Sequence, residues 1–279
     1  MHIIGIGEAG CKIAQHLSTY PAYTTHQIDT HDSDYTNFVA LQREGSHEEY
    51  ESNYKPVDLG DLEGQTTIIL SGAGRISGII LRLLQQINDN CSVDILYIKP
   101  RQSDMSFLQA TRHKICNQVL QQYARSGVIN SIILIDNEKI ESLIPDISID
   151  NYWTPINKLI GDTFHMINVL KNTEALLKAD NQVPATSKIK TLGVVNFVEK
   201  QEVLFYDLQH PRAKNYYLAL SESYMKDNKS LLADVRSYVK EQEEERCDCA
   251  YAIYKTDYEQ NYVYGVYHSS FVQEQNLEF

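Results

Sequence analysis

The clearest chemical pattern in this sequence is a glycine-rich turn close to its beginning. Gly5, Gly7 and Gly10 form a G-x-G-x-x-G motif that follows a short apolar strand pattern at His2–Ile6. A strand, this motif and a helix in succession leave backbone N–H groups at the helix N-terminus, where the helix dipole also attracts phosphate. The motif predicts a phosphate-binding turn, although glycines at this spacing also serve only to let a strand and a helix pack closely.

Asp29 closes the second predicted strand, at the point where a dinucleotide-binding domain holds a ribose hydroxyl. Together with the first turn, this acid gives the hypothesis of an NAD-binding Rossmann oxidoreductase. A proton-transfer residue in a recognisable setting is missing, because His26 and His31 near the end of this strand have no partner in the sequence. The oxidoreductase hypothesis therefore depends on the glycines and Asp29 alone.

A second glycine-rich turn, Ser71–Gly78, follows an apolar strand pattern at residues 65–70 and precedes an apolar helix pattern at Ile79–Ile87. A nicotinamide-binding fold has no need of such a turn after its third strand. Two glycine-rich turns at adjacent strand ends would instead build a cradle around a chain of phosphates. The second turn therefore favours a nucleotide other than NAD.

Composition limits the classes of protein to which the chain can belong. The formal net charge is −12 and no run of basic residues is long enough to follow a nucleic-acid backbone, which argues against direct nucleic-acid binding. No stretch approaches the apolar length of a membrane span. Five scattered cysteines fit a reducing cytoplasm, and Cys247 and Cys249 lack the partners of a metal site. We therefore expect a cytoplasmic globular protein with no protein-held metal.

Strand and helix patterns alternate through the first half of the chain, which predicts an α/β fold with a parallel sheet and helices on both faces. The predicted strands cover residues 2–6, a segment ending near 28–30, and 65–70, 93–98 and 131–135. The predicted helices here include a short one near Tyr35–Arg43 and a long amphipathic one at 105–126.

The second half is predicted to be a smaller mixed α/β domain that follows a long helix. Pro155 begins this helix, and its apolar stripe extends to about residue 179. Further along, the patterns predict strands at 191–198, 202–208, 248–256 and 262–271, a helix at 213–243, and a hairpin between the last two strands. The predicted segments are a Rossmann-like domain at 1–154, a central connecting helix at 155–180, and a C-terminal α/β domain at 181–279.

In this order along the chain, these features resemble the tubulin/FtsZ superfamily, and FtsZ more than tubulin. Gly5–Cys11 is similar to the family's first phosphate loop, and Gly72–Gly78 falls where the family has its second glycine-rich loop. Ile95–Pro100 resembles a family strand that ends in proline. Ile132–Ile140 resembles the strand whose closing Asn reads guanine, and the long helix resembles the family's central helix. The resemblance covers nearly the whole chain and depends on the order of the motifs.

The resemblance implies a set of nucleotide-binding positions. Those against the phosphates would be Gly5, Gly7, Ala9, Gly10 and Cys11 from the first loop, and Gly72, Ala73, Gly74, Ser77 and Gly78 from the second. Asn137 would read the guanine edge with help from Asp162, and Asp29 would lie near the ribose. A turn that merely ends a strand would also explain Asn137. The implied cofactor is GTP or GDP with Mg²⁺, or no nucleotide at all.

Several positions depart from the family pattern. Arg75 and Ile76 stand where Thr and Gly are expected, and residues 32–64 lack the loop that senses the terminal phosphate. The family places an Asn and a catalytic Asp in the loop after the central helix, but residues 181–188 contain no carboxylate after Asp180. Asp180 and Glu174 could take the place of the family's catalytic Asp, but neither lies at the position in the loop where the family has it. Loss of a general base reduces a rate by roughly 10²–10⁴-fold, so the departures predict weak or absent hydrolysis.

Three functional hypotheses follow. The first is a divergent, FtsZ-like cytoskeletal protein that assembles with itself, head to tail, into filaments. The second is a nucleotide-free protein of the same fold that acts as a structural or adaptor protein. The third is the NAD-binding oxidoreductase.

Overall fold

The computed structural model describes residues 1–31, 33–197 and 199–273, which divide into two compact units. The first unit is Met1–Asp162 with the described part of Val272–Phe279, and the second is Thr163–Phe271. Within the described ranges, no helix combines the length and the apolar character that crossing a membrane requires.

The first unit contains six parallel strands in the order β3-β2-β1-β4-β5-β6. They are β1 (His2–Ile6), β2 (Thr24–Asp29), β3 (Phe38–Ala40), β4 (Gly64–Ser71), β5 (Cys91–Lys99) and β6 (Ser131–Asp136). The apolar runs of β4, β5 and β6 are buried almost completely, as expected for a parallel sheet that helices cover on both faces. The predicted α/β fold class is confirmed.

Six α-helices begin in the described part of this unit, and four of them come after a buried strand, as the alternating pattern predicts. They are α1 (Gly7–Leu17), α2 (His47–Ser52), α3 (Ile80–Ile87), α4 (Phe107–Ser126), α5 (Asn137–Ser142) and α6 (Trp153–Lys171). A 3₁₀ turn, Arg75–Ile79, precedes α3. Local signals fix the ends of α4, since Ser106 and Gln109 form a capping box at its start and Gly127 ends it with a left-handed φ of 86°.

The predicted helix at Tyr35–Arg43 is wrong. Its centre forms β3, which pairs with the edge of β2. The helix of this region begins instead at His47, because the Ser46 side chain accepts a hydrogen bond from the Glu49 N–H and caps it.

The long helix α6 begins at Trp153 and ends at Lys171, well short of the predicted end near residue 179. Leu177–Ala179 forms an edge strand, β7, which pairs with β11 (Asp248–Thr256). The leucine spacing in this segment suits a helix, but the segment forms a strand because it pairs with the edge of β11. The division between the two units falls within α6, between Asp162 and Thr163.

The second unit contains a mixed sheet in the order β9-β8-β12-β10-β11-β7. Among its described residues, only β10 and β11 are parallel neighbours. Its remaining strands are β8 (Ile189–Asn196), β9 (Gln201–Leu204), β10 (Pro211–Ser221) and β12 (Tyr262–Ser269). Along the chain, β10 and β11 are connected through two helices, α7 (Glu222–Asp227) and α8 (Leu231–Glu241).

Two predictions for this unit are wrong. The helix predicted at 213–243 begins as a strand, because Tyr216, Leu218 and Leu220 alternate onto the face that packs against α8. The hairpin predicted from the last two strands does not form. β11 and β12 each pair with β10, which lies between them.

Candidate functional site

The first unit contains a cavity of about 720 Å³ at the carboxyl ends of its parallel strands. Residues that directly follow β1, β2, β4, β5 and β6 line it, together with side chains of α1, α4 and α6. The order of the strands reverses between β1 and β4, and open α/β sheets bind ligands in the crevice outside such a reversal. Both glycine-rich turns contribute to this cavity.

The first turn offers backbone donors to the cavity. Gly7 and Ala9 line it, and α1 begins there. The first-turn N–H groups of a helix have no intrahelical acceptors. Among the described residues, no side chain caps those of α1, so they are available to a ligand. Gly7 has a φ of 70°, a conformation that glycine adopts without strain. An uncapped helix that starts at a cavity is suited to an anion.

Gly5, Gly10 and Cys11 lie behind the cavity and do not line it. A Cβ at Gly5 would overlap the backbone of Gly10, and a Cβ at Gly10 would overlap the Ile69 carbonyl oxygen. The Cys11 thiol is 3.5 Å from the Gly5 carbonyl oxygen, and its burial raises its pKa to about 12. These three positions therefore allow α1 to pack closely on β1 and β4.

The second turn is held in shape by its own serine. The Ser77 hydroxyl contacts the carbonyl oxygens of Gly72 and Gly74, at 3.1 and 2.7 Å. Gly74 lines the cavity, whereas Gly72 packs against the Tyr97 hydroxyl and Gly78 packs against α2. Ala73 and Ser77 are buried.

The two unusual residues of this turn have different surroundings. Ile76 lines the cavity, with its Cγ2 3.1 Å from the position that a Cβ on Gly7 would occupy. Arg75 is exposed and lowers the pKa of Arg112 on α4, after the larger effect of burial on that group. Arg75 is not among the cavity-lining residues.

Asn137 is the cavity residue whose side chain most clearly lacks a partner that a ligand could supply. It is the first residue of α5, only 9% exposed, and it lines the cavity. Its Oδ1 atom is buried without a hydrogen-bond partner in the described structure. Lys99 and the Glu138 N–H hold the neighbouring Asp136 carboxylate, at 2.6 and 3.0 Å, and so fix the start of α5. A buried amide oxygen left without a donor is costly, and a base edge would supply one.

Asp29 lines the cavity from the end of β2. Its Oδ1 accepts a hydrogen bond from the Thr30 N–H at 2.7 Å and lies 3.5 Å from the His31 Nδ1. The carboxylate retains acceptor capacity for a ribose hydroxyl. Asn137, Asp29 and the uncapped start of α1 thus offer an amide oxygen, a carboxylate and backbone donors to the same cavity.

Asp162 is committed to other partners. Its carboxylate contacts His16 Nε2 at 2.6 Å, the Tyr20 hydroxyl at 3.2 Å, and the Lys158 ammonium. Burial opposes ionisation, but the hydrogen bonds from Lys158 and His16 outweigh it and lower the Asp162 pKa. Asp162 is not among the cavity-lining residues, whereas His16 and Lys158 are. Its observed contacts are those of a residue that positions these two side chains.

Several cavity residues were not anticipated from the sequence. They are chiefly Glu8, Lys12 and His16 on α1 and Trp153, Asn157 and Lys158 on α6. Trp153 is the single tryptophan of the chain and is 49% exposed at this site. The spacing of Glu8, Lys12 and His16, one helical turn apart and next to the motif, is the signal that could have indicated them.

Asp180, the candidate catalytic acid, lies in the second unit. It follows β7, is exposed, and forms an ion pair with Lys178 at 3.2 Å. In the part of the chain that the structure describes, no group of three or more His, Cys, Asp or Glu side chains is arranged to hold a metal ion.

No protein-family model matches the sequence, and no curated protein matches it. Solved structures, in contrast, match over nearly its whole length. A GTPγS-bound protofilament of CetZ2 from Haloferax volcanii has a TM-score of 0.69 and 14% identity, covering 96% of this chain and 92% of that chain. A GTPγS-form protofilament of TubZ from Bacillus thuringiensis serovar israelensis has a TM-score of 0.68 and 12% identity, covering 95% and 86%.

An empty FtsZ dimer from M. jannaschii matches as well, with a TM-score of 0.65 and 14% identity, covering 100% of this chain and 93% of that chain. The chain has the fold of the tubulin/FtsZ superfamily, as the resemblance predicted. At 12–14% identity these matches establish the fold, and the function has to be argued from the site.

Proposed function

We propose that this protein is a divergent tubulin/FtsZ-like cytoskeletal protein that binds a guanine nucleotide in the cavity between its two glycine-rich turns and assembles head to tail. The observation that carries the proposal is the buried, unpartnered Oδ1 of Asn137 in the same cavity as the uncapped N-terminus of α1. A guanine edge would donate to this oxygen while the first phosphate met the helix N-terminus.

Self-assembly is supported by the fold and by the assembled state of similar structures. CetZ2 and TubZ, both of this fold, are described as protofilaments. A head-to-tail contact uses two different surfaces of the same chain, and it produces a filament when its rotation does not close into a ring. We propose a homopolymer of this kind in the cytoplasm.

Hydrolysis is proposed to be slow and to depend on Glu174. Because α6 ends at Lys171, the loop after the central helix begins at Asn172 and contains Glu174. This loop thus carries an Asn and an acid, the pair that the resemblance assigns to water activation on the neighbouring subunit. Glu174 is exposed and forms no hydrogen bond or ion pair with a described residue. Mg²⁺, if present, would neutralise charge on the phosphates.

The decisive test is calorimetry on nucleotide-stripped protein with GTP and GDP in the presence of Mg²⁺, with ATP and NAD⁺ as controls. We expect binding of a guanine nucleotide and a loss of at least tenfold in affinity for Asn137→Ala, because that variant removes the base acceptor. Trp153 provides an independent signal, since its fluorescence should change when the cavity fills. Equal binding by the wild type and Asn137→Ala would contradict the site assignment.

The alternatives give different results in the same experiment. A structural or adaptor protein of this fold would bind none of the four nucleotides while remaining folded. Binding of NAD⁺ alone would support the oxidoreductase, for which Asp29 at the end of β2 is the favourable observation. Electron microscopy with GTP, with GDP and without nucleotide tests assembly, and the absence of polymer under all conditions would overturn the filament proposal.

A further inference from the structure

The two glycine-rich turns are bridged by a side chain of the protein itself. The Cγ2 methyl of Ile76 lies 3.1 Å from the Cβ position of Gly7 and 3.9 Å from that of Gly74. Gly7 and Gly74 are the glycines through which the two turns line the cavity. The space where the turns face each other, which a chain of phosphates would enter, therefore already contains an apolar group.

The charge at this end of the cavity is also unfavourable for phosphate. Glu8, in the first turn of α1, lines the cavity and brings a carboxylate to the helix N-terminus that would attract an anion. Lys158 is already paired with Asp162. Lys12 is therefore the one lysine lining the cavity that has no ion-pair partner within the described residues. A triphosphate carries more negative charge than Lys12 offsets.

The base and ribose end offers two acceptors instead. Asn137 provides a buried amide oxygen and Asp29 provides a carboxylate. Recognition at this end does not depend on how many phosphates the ligand carries. Each added phosphate, in contrast, brings charge towards Glu8 and bulk towards Ile76.

We propose that the cavity recognises guanine nucleotides through base and sugar and discriminates against long phosphate chains, so that affinity falls from GMP to GDP to GTP. The inference rests on the proposed function, because it concerns the same cavity. In most glycine-rich phosphate loops, backbone donors bind each phosphate, so affinity rises with the number of phosphates. The order proposed for this cavity is the opposite.

The test is calorimetric titration of the full-length protein with guanosine, GMP, GDP and GTP at constant Mg²⁺ and ionic strength. We expect GTP to bind about tenfold or more weakly than GMP, the size expected for a like charge at short range in a partly screened site. Glu8→Gln and Ile76→Ala should each improve GTP binding by several-fold and leave guanosine binding within twofold.

The matched controls are Glu48→Gln, a first-turn acid of α2 that does not line the cavity, and Ile115→Ala, an exposed isoleucine of α4. Neither should change the order of affinities. If GTP binds most tightly, or if Glu8→Gln weakens GTP, the discrimination is refuted while guanine binding stands. If folded protein binds none of the four ligands, the proposed function fails and the inference fails with it. Should Ile76→Ala not fold, Glu8→Gln alone decides.

Discussion

At the scale of residues, the glycines of the two glycine-rich turns serve two physical purposes. Gly7 and Gly74 line the cavity, whereas Gly5 and Gly10 permit a backbone contact in which α1 touches β1 and β4 without intervening side chains. The second purpose is structural and is independent of any ligand. Substitutions can therefore separate stability from binding within the two turns.

Gly10→Ala should prevent or strongly weaken folding, because its Cβ would overlap the Ile69 carbonyl oxygen, which a rigid strand cannot move. Overpacking of this kind typically costs about 1–3 kcal/mol or more of unfolding free energy. Gly74→Ala is the control, since its nearest neighbours would lie at 3.8 and 3.9 Å and its φ of −69° suits alanine. Urea unfolding of the two variants compares them. Equal stability would contradict the packing role of Gly10.

Residue types next to strand ends predicted part of the candidate site. Gly7, Ala9, Asp29, Gly74 and Asn137 all line the cavity, because the carboxyl ends of parallel strands meet at one edge. Contributions from α6 were not predictable in the same way. The contact between His16 and Asp162 joins residues far apart in the chain, and local spacing carries no information on which helices approach each other.

At the scale of elements, the end of α6 decides which acid is available for hydrolysis. The sequence predicts that α6 continues to about residue 179. On that prediction Asp180 is the first acid after the helix and the candidate for water activation. In the structure, Asp180 comes after β7 and pairs with Lys178, whereas Glu174 lies in the loop directly after the helix.

Glu174→Gln should therefore lower any GTPase activity of assembled protein by about 10²-fold, the lower end of a general-base contribution. Asp180→Asn is the matched control and should remain within twofold of the wild type. Phosphate release at saturating GTP and equal polymer mass measures both. A loss in Asp180→Asn with normal activity in Glu174→Gln would reverse the assignment.

The buried strands β4, β5 and β6 of the first unit were predictable because each is an apolar run that ends at turn residues, whereas the short edge strand β3 was not. β10 was not, since the run Tyr216–Leu220 suits a buried strand or a helix equally until its neighbours are known. The same limit applies to β7. Its three residues become a strand only because β11 offers an edge.

At the scale of the whole molecule, buried histidines link stability to pH. His268 on β12 is 6% exposed, and burial, assisted by Lys190 and Lys171, lowers its pKa to about 3. Burial also lowers the pKa values of His2, His26 and His47. The unfolded chain binds protons at these positions near the ordinary pKa of 6.5, so acid favours unfolding.

The free energy of unfolding should therefore be highest above pH 6.5, where these histidines are neutral in both states. It should fall as the pH drops from 6.5 towards 3. For His268 alone the loss at pH 5 amounts to about 2 kcal/mol, from one and a half pH units at about 1.4 kcal/mol each. His268→Gln should flatten the pH dependence of urea unfolding, because glutamine occupies the buried site without taking up a proton. A pH profile of His268→Gln identical to that of the wild type would contradict this account.

The central position of β12 in the second sheet has a consequence for biosynthesis. β12, the last strand among the described residues, is inserted between β8 and β10, two strands that are synthesised earlier and do not pair with each other. Until it emerges, β8 with β9 and β10 with β11 can form only separate halves with open edges, which are exposed to proteases and to pairing with other nascent chains. The six strands of the first sheet precede β7 in the chain, so that sheet can close while translation of the second is still in progress. A chain cut before Tyr262 would therefore keep all six strands of the first sheet and lose the strand that joins β8 to β10.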